Sequence, residues 1–188
     1  MTRRTILVAI LGLSLLLSSA AHASVLQARD HLTPKEVDLV KDTQDLDKRI
    51  DVFAKAIDRR LMIIKGAKPV AKEQKAEAEL WGDLPTGSRS ELVGDIAGIL
   101  DEAITNIDDV SLRDEKNPAL PKALRKLAGA ATRAIDQLKP IENTVENPTE
   151  ASRLAQLMEN AETIVQAASK LAPEVVQKKS KGEKTKND

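Results

Sequence analysis

The stretch from residue 147 to residue 172, NPTEASRLAQLMENAETIVQAASKLA, carries the clearest helical pattern in the chain. Asn147 is a common helix-capping residue, and Pro148 suits the first turn of a helix. Apolar side chains that recur every three or four residues lie on one face of a helix. Here they are Leu154, Leu157, Ala161, Ile164, Ala168 and Leu171. The stretch therefore predicts an amphipathic helix that ends before Pro173 and buries one face against other helices.

Three further stretches repeat this combination of a start signal and an apolar stripe. TPKE at 33–36 and SRSE at 88–91 are capping-box sequences. Another helix can begin at Pro118 or Pro121, and Pro140 ends or kinks it. The predicted helices span residues 34–65, 88–110 and 118–138, with a shorter helix of weak apolar face over residues 71–81.

The composition favours helices and excludes several classes of protein. Aromatic residues make up 1% of the 188 residues, and the chain contains no cysteine. Strands favour aromatic and β-branched side chains, so a β-sandwich or barrel is not expected. A disulfide framework, a thiolate zinc site and an iron–sulfur cluster all need cysteine. We therefore predict an all-α fold, an antiparallel helical bundle of four main helices plus one short connecting helix.

The first 23 residues have the features of a secretory signal peptide. Arg3 and Arg4 precede an apolar run over residues 6–17, and Ala21-His22-Ala23 is a typical cleavage site. The run is short for a bilayer span, which needs about 20 apolar residues. An uncleaved membrane anchor is the alternative, and both the general secretory and the twin-arginine route stay open. We expect cleavage after residue 23 and a periplasmic or extracellular protein.

Removal of residues 1–23 would leave a chain of three parts. We expect a loose N-terminal segment over 24–33, a helical bundle domain over 34–172 and a disordered, lysine-rich tail over 173–188. This mature chain has 27 basic and 29 acidic side chains, and its tail is locally basic. The bundle is therefore acidic, whereas nucleic-acid binding needs a basic patch. We predict no nucleic-acid partner and no integral membrane span after cleavage.

The sequence lacks motifs for catalysis, cofactors or metals. His31 would be the one histidine of the mature chain, and we interpret it as an exposed residue. Asp38, Asp42 and Asp45 would share a helix face that could hold a hard cation weakly, but interspersed lysines favour a solvated surface. Phosphate-binding glycine loops and Glu-x-x-His pairs do not occur in the sequence. We predict no enzyme activity, no catalytic residue, no cofactor and no metal.

Gly94 and Gly98 lie four residues apart in the helix predicted over residues 88–110. Each glycine lowers helix stability by about 1 kcal/mol relative to alanine. Two of them at this spacing suggest that another helix approaches closely there. We favour close packing within the molecule, and a contact between two copies of the chain is the alternative.

Trp81 and Leu84 are the first residues that we predict to contact a partner. Trp81 precedes the loop GDLPTG at 82–87, and Leu84 lies within it. A loop between two bundle helices lies at an end of the bundle. Trp81 either covers that end as a lid, with Leu80 and Leu84, or stays partly exposed as an anchor for a partner.

The lysines of the tail are a second predicted contact. Lys178, Lys179 and Lys181 can bind an anionic polymer or lipid headgroups. The alternative is that they only keep the end of the chain soluble.

These features together predict a non-enzymatic binding or scaffold module of the cell envelope that acts through its helix faces. Its partner would be an envelope protein or an anionic envelope polymer. The alternative is a periplasmic carrier of a small ligand or ion, with a pocket inside the bundle. A buried polar residue on an apolar stripe would favour the carrier, and Thr43 is the one residue that fits this description.

Overall fold

A computed structural model of the protein describes residues 29–67 and 71–172, which form helices and no strand. The predicted all-α helical bundle is confirmed. The predicted signal peptide and the tail with Lys178, Lys179 and Lys181 lie outside the described residues. The helices are α1 (Pro34–Asp42), α2 (Leu46–Ile64), α3 (Ala71–Trp81), α4 (Arg89–Arg113), α5 (Ala119–Leu138) and α6 (Pro148–Ser169), with a 3₁₀ helix over Lys139–Thr144.

The prediction of one continuous helix over residues 34–65 is wrong, because this stretch forms two helices, α1 and α2. Thr43 has an extended backbone, and Asp45 is the N-cap of α2. In one continuous helix, Glu36 and Arg59 would lie about 35 Å apart along the axis. Their side chains are instead joined by a hydrogen bond of 2.6 Å. The break therefore lets α1 fold back along α2 and bring these two charges together.

The direction of α5 relative to α2 follows from ion pairs between them. Asp47, early in α2, pairs with Lys126, and Asp58, later in α2, pairs with Arg133. The partners occur in the same order along both helices. α2 and α5 are therefore parallel neighbours.

α4 and α6 form the second parallel pair. Arg89 at the start of α4 pairs with Glu150 at the start of α6, and Asn160 donates a hydrogen bond to Asp101 further along. The two pairs pack against each other through contacts of α2 with α4 and of α5 with α6. Helices that follow one another in the bundle, α2, α4, α5 and α6, thus alternate in direction.

The core between these helices is aliphatic. Leu157 and Ala161 of α6 are fully buried, as their place on the apolar stripe predicts, and Phe53 of α2 is fully buried as well. Small side chains on α5 let its neighbours approach closely. They are Ala123, Ala128, Ala130, Ala131 and Ala134.

Pro140 ends α5, as its sequence position predicts. Proline cannot donate the backbone hydrogen bond that an α-helix interior requires. The chain continues as the tighter 3₁₀ helix and becomes extended at Val145 before Asn147 caps α6. Among the helices described over residues 29–67 and 71–172, none is both long enough and apolar enough to cross a membrane.

Gly94 and Gly98 mark close approaches within the molecule, as predicted, but the expected close approach of another helix holds only at Gly94, where the neighbour is a side chain of α6. A Cβ atom at position 98 would lie 2.9 Å from the His31 ring, and one at position 94 would lie 3.2 Å from the side chain of Arg153. The approaching groups are side chains, one ahead of α1 and one on α6, rather than the backbone of a neighbouring helix.

Candidate functional site

Four of the charged side chains buried at the end of the bundle where α2 ends and α4 begins lie close together, apart from the buried Glu150 that pairs with Arg89. Glu36 is fully buried, Arg59 and Arg60 are each 1% exposed, and Asp95 is 4% exposed. Burial of a charge is costly unless hydrogen bonds and an opposite charge compensate for the lost water. We call these four residues the buried charge cluster.

Glu36 is the centre of the cluster. Its Oε1 accepts hydrogen bonds from Arg59 and Arg60, and its Oε2 accepts from Arg60 and from the backbone N–H of Thr33. Burial by itself would raise the pKa of Glu36, but the hydrogen bond and charge of Arg60, with help from Thr33 and Arg59, bring this pKa below its ordinary value. Glu36 thus serves both as the capping-box residue of α1 and as an ionised partner for two arginines.

Arg60 connects Glu36 to the chain ahead of α1 and to α4. It donates to the carbonyl of His31 at 2.6 Å, and its Nε lies 3.5 Å from Asp95 Oδ2. Asp95 in turn accepts two hydrogen bonds from Arg29, at 3.0 and 3.1 Å. The cluster therefore holds the N-terminal segment, α1, α2 and α4 in one arrangement.

Arg59 connects Glu36 to the loop that follows α3. Its guanidinium donates to the carbonyls of Gly82, at 3.0 Å, and Asp83, at 2.7 Å. The same guanidinium lies 5.8 Å from the centroid of the Trp81 ring, within the range of a cation–π contact. The position of Trp81 is thus set by a buried side chain of α2.

The residues predicted to contact a partner lie on the outside of this arrangement. Leu80 is 56% exposed, and Trp81 and Leu84 are half-buried. Trp81 lies between the two arrangements expected from the sequence, since one part of it packs near Arg59 and another part stays accessible. We call Leu80, Trp81 and Leu84 the Trp81 surface.

An open cleft of about 610 Å³ lies beside the Trp81 surface. One wall is the segment before and at the start of α1, and the other is the loop over residues 82–86. Leu84 contributes to the lining, together with the charged side chains of Arg29, Lys35 and Asp83. The cleft is therefore of mixed polar and apolar character.

Residues 29–33, the described part of the segment expected to be loose, contact α2 and α4 through Arg29 and His31. Leu32 is 4% exposed, and His31 lies 2.7 Å from Glu102 through its Nε2. His31, expected to be exposed, is about one-third exposed, and one side of its ring packs on Gly98. Near it, burial raises the pKa of Asp101, and the charge of His31 opposes that increase.

The acidic face considered as a weak cation site does not form. Asp38 and Asp42 lie on α1, whereas Asp45 is the N-cap of α2, beyond the break in the chain. Asp45 instead pairs with Lys48 at 2.8 Å. Within the part of the chain that the structure describes, no group of three His, Asp or Glu side chains is placed to hold a metal ion.

A second recess, an apolar groove of about 470 Å³, lies at the opposite end of the bundle. Ile104 and Ile107 of α4, Leu120 and Leu124 of α5, and Leu171 beyond α6 line it. The charged side chains of Asp108, Glu115 and Lys116 also contribute to the lining. We call it the α4–α5 groove.

Sequence reasoning missed the buried charge cluster because arginine and glutamate are usually exposed. A usable signal was present: Arg60 follows Phe53 by seven residues, so it lies on the same helix face as a core residue. Asp95 had a similar signal, because it follows Leu92 by three residues and precedes Ile99 by four, on the same face of α4.

No protein-family model matches the chain. Searches of curated proteins and of solved structures likewise found no significant match.

Proposed function

We propose that this protein is an exported, non-enzymatic binding or scaffold module of the cell envelope that contacts a partner protein through the Trp81 surface. The observation that carries the proposal is the partial exposure of Trp81 beside a Leu80 that is 56% exposed. Tryptophan is enriched among the residues that dominate binding energy at protein interfaces. The single tryptophan of the chain is half-buried at the surface and does not belong to the core.

The hydrogen bonds that hold Arg59 beneath Trp81 favour a binding role for this surface. Arg59 lies under the Trp81 ring and is fixed by Glu36 and by two carbonyls of the following loop. Side chains that are already held in place lose less conformational entropy when a partner binds. The buried charge cluster therefore supports a preorganised contact surface.

Export to the periplasm or the extracellular space is part of the proposal. It is supported by the arginines, the apolar run and the small residues of the first 23 positions. An anionic envelope polymer is a further proposed partner, through Lys178, Lys179 and Lys181 of the tail.

The test compares Trp81→Ala with Leu112→Ala, since Leu112 is also exposed, at 86%, but lies near the end of α4, far along that helix from its start. Each purified mature protein is crosslinked in an envelope extract, and captured proteins are quantified. We expect Trp81→Ala to weaken capture of a specific partner by more than about 1 kcal/mol, a factor of about five. Equal capture by both variants would remove Trp81 as the contact.

A carrier of a small apolar ligand is the second candidate function, and the α4–α5 groove favours it. Its volume of about 470 Å³ lies within the common range for ligand sites. Its position at an end of the bundle differs from the internal pocket that the sequence suggested. Binding of an apolar dye that Leu124→Arg abolishes and Trp81→Ala leaves unchanged would favour the carrier.

A further inference from the structure

The aliphatic side chains of the α4–α5 groove are less buried than those of the core. Leu120 and Leu124 of α5 and Leu171 after α6 are half-buried, whereas Leu127, one turn beyond Leu124, is fully buried. Different parts of the fold thus present apolar surface to one recess. A ligand that covers this surface would remove it from water, which favours binding.

The lining of the groove suits an alkyl chain. All the apolar side chains that line it within the described residues are aliphatic, so an aromatic ligand would find no ring to stack on. An alkyl chain can make close contacts along aliphatic walls. The volume of about 470 Å³ is that of a small-molecule site.

Hydrogen bonds hold two walls of the groove in place. Arg125 of α5 donates to the carbonyl of Ala172 at 2.6 Å, which links the chain next to Leu171 to α5. In the connection between α4 and α5, the backbone N–H of Ala119 donates to Asn117 Oδ1 at 3.0 Å. Walls that are already held in place lose less conformational entropy when a ligand binds.

The charged groups of the lining favour a positive ligand. Asp108 and Glu115 contribute two exposed carboxylates, and Lys116 contributes one ammonium group. Two neighbouring cations of α5 are engaged elsewhere, because Lys122 forms an ion pair with α2 and Arg125 bonds the chain after α6. A cationic group in the groove would therefore meet more negative than positive charge.

We propose that the α4–α5 groove binds a small amphiphilic cation. Its alkyl body contacts Leu120, Leu124 and Leu171, and its positive group lies beside Asp108 and Glu115. Since both carboxylates are exposed, the positive group keeps part of its contact with water. This inference rests on the second candidate function, the carrier, because it assigns a chemical class to the ligand of the groove.

The test uses octylammonium, octanol and octanoate, which share one alkyl chain and carry a positive, no and a negative charge at neutral pH. Each probe is titrated into the purified protein while methyl NMR signals are recorded. The methyl groups of Ile104, Leu120 and Leu124 report binding in the groove. Those of Leu80 and Leu84 report binding at the Trp81 surface.

A double variant, Asp108→Asn with Glu115→Gln, removes both carboxylates of the lining without changing the apolar walls. Asp136→Asn is the matched control, because Asp136 is an exposed acidic residue of α5 that does not line the groove. Lys116→Gln removes the opposing positive charge. All these positions are exposed, and circular dichroism verifies that each variant keeps its helices.

We expect octylammonium to bind about fivefold more tightly than octanol, a ratio in the range of two solvated ion pairs, and octanoate to bind most weakly. The double variant should lose this preference, Asp136→Asn should keep it, and Lys116→Gln should increase it.

Equal affinities for octylammonium and octanol, or tightest binding of octanoate, would overturn the inference and leave an apolar carrier in place. A preference that the double variant retains would overturn it as well. If no probe shifts the groove methyl signals, both this inference and the carrier fail. Partner capture by Trp81→Ala tests the first proposed function independently.

Discussion

The two regions that hold this protein together, its aliphatic middle and its charged end, depend on different forces. Around Leu157 and Ala161, the buried side chains make apolar contacts that have no preferred direction. Their contribution to stability depends on the apolar area that folding removes from water. Around Glu36, four charged residues are buried, and stability depends on the geometry of individual hydrogen bonds. The middle therefore joins long helices, whereas the charged end fixes short elements that have little apolar surface of their own.

This difference in forces determines how precisely each region positions the elements that it joins. Apolar contacts tolerate small shifts of register, because one aliphatic neighbour resembles another. A buried carboxylate with four donors tolerates no such shift, because a missing donor leaves a charge uncompensated. The charged end can thus hold α1, the N-terminal segment and the loop after α3 in one arrangement.

The largest effect is expected in the aliphatic middle. Leu157→Asp places a charge at a fully buried position where apolar side chains surround it. We expect a loss of about 5 kcal/mol of unfolding free energy, because a buried charge without a partner is very costly. Urea denaturation followed by circular dichroism measures it. A variant as stable as the wild type would place Leu157 on the surface and contradict the packing of α6.

The next effect is expected at the charged end. Glu36→Ala leaves Arg59 and Arg60 buried without their shared anion, and we expect a loss of about 3–5 kcal/mol. Asp38→Ala is the control on the same helix, where an exposed side chain should matter by less than about 0.5 kcal/mol. Similar urea midpoints for the two variants would mean that the cluster contributes little to folding.

Acid should also reduce the stability that Glu36 contributes at the charged end, by less than Glu36→Ala does. The pKa of Glu36 is lower in the folded protein than its ordinary value of 4.5, so its contribution to stability is present above that value. The contribution is lost as the pH falls through the lowered folded pKa. We expect the urea midpoint to fall less steeply with acid in Glu36→Ala than in the wild type. Parallel curves would assign acid sensitivity to other carboxylates.

The smallest effect separates a close contact from helix propensity. Gly98→Ala should lower stability by about 1 kcal/mol, because the new Cβ would lie 2.9 Å from the His31 ring. Gly129→Ala on α5 should raise stability by about 0.5–1 kcal/mol, since its nearest neighbour would lie 3.7 Å away. Thermal unfolding measures both. Higher stability in both variants would show that the His31 side chain shifts at little cost to make room for the new Cβ atom.

Some features of the fold were predictable from the sequence, and others were not. The three capping sequences predicted the starts of α1, α4 and α6 correctly, because the cap bonds involve residues three apart. The same local reasoning predicted one helix across residues 43–45. It failed there because the pairing of Glu36 with Arg59, 23 positions away, favours a reversal of the chain. The candidate Trp81 was found from its type and its loop, but the arginine beneath it was not.

The amino-acid sequence alone specifies most of the helical segments and the apolar face of each, since both depend on spacings of three and four residues. It also determined that most of the core is aliphatic, because few aromatic side chains are available. The fold-back of α1, the packing of residues 29–33 on α4 and the position of Trp81 beside Arg59 depend on contacts that exist only in the folded molecule. The physical reason is that ion pairs join residues distant in sequence, and their geometry has no periodic signature along the chain.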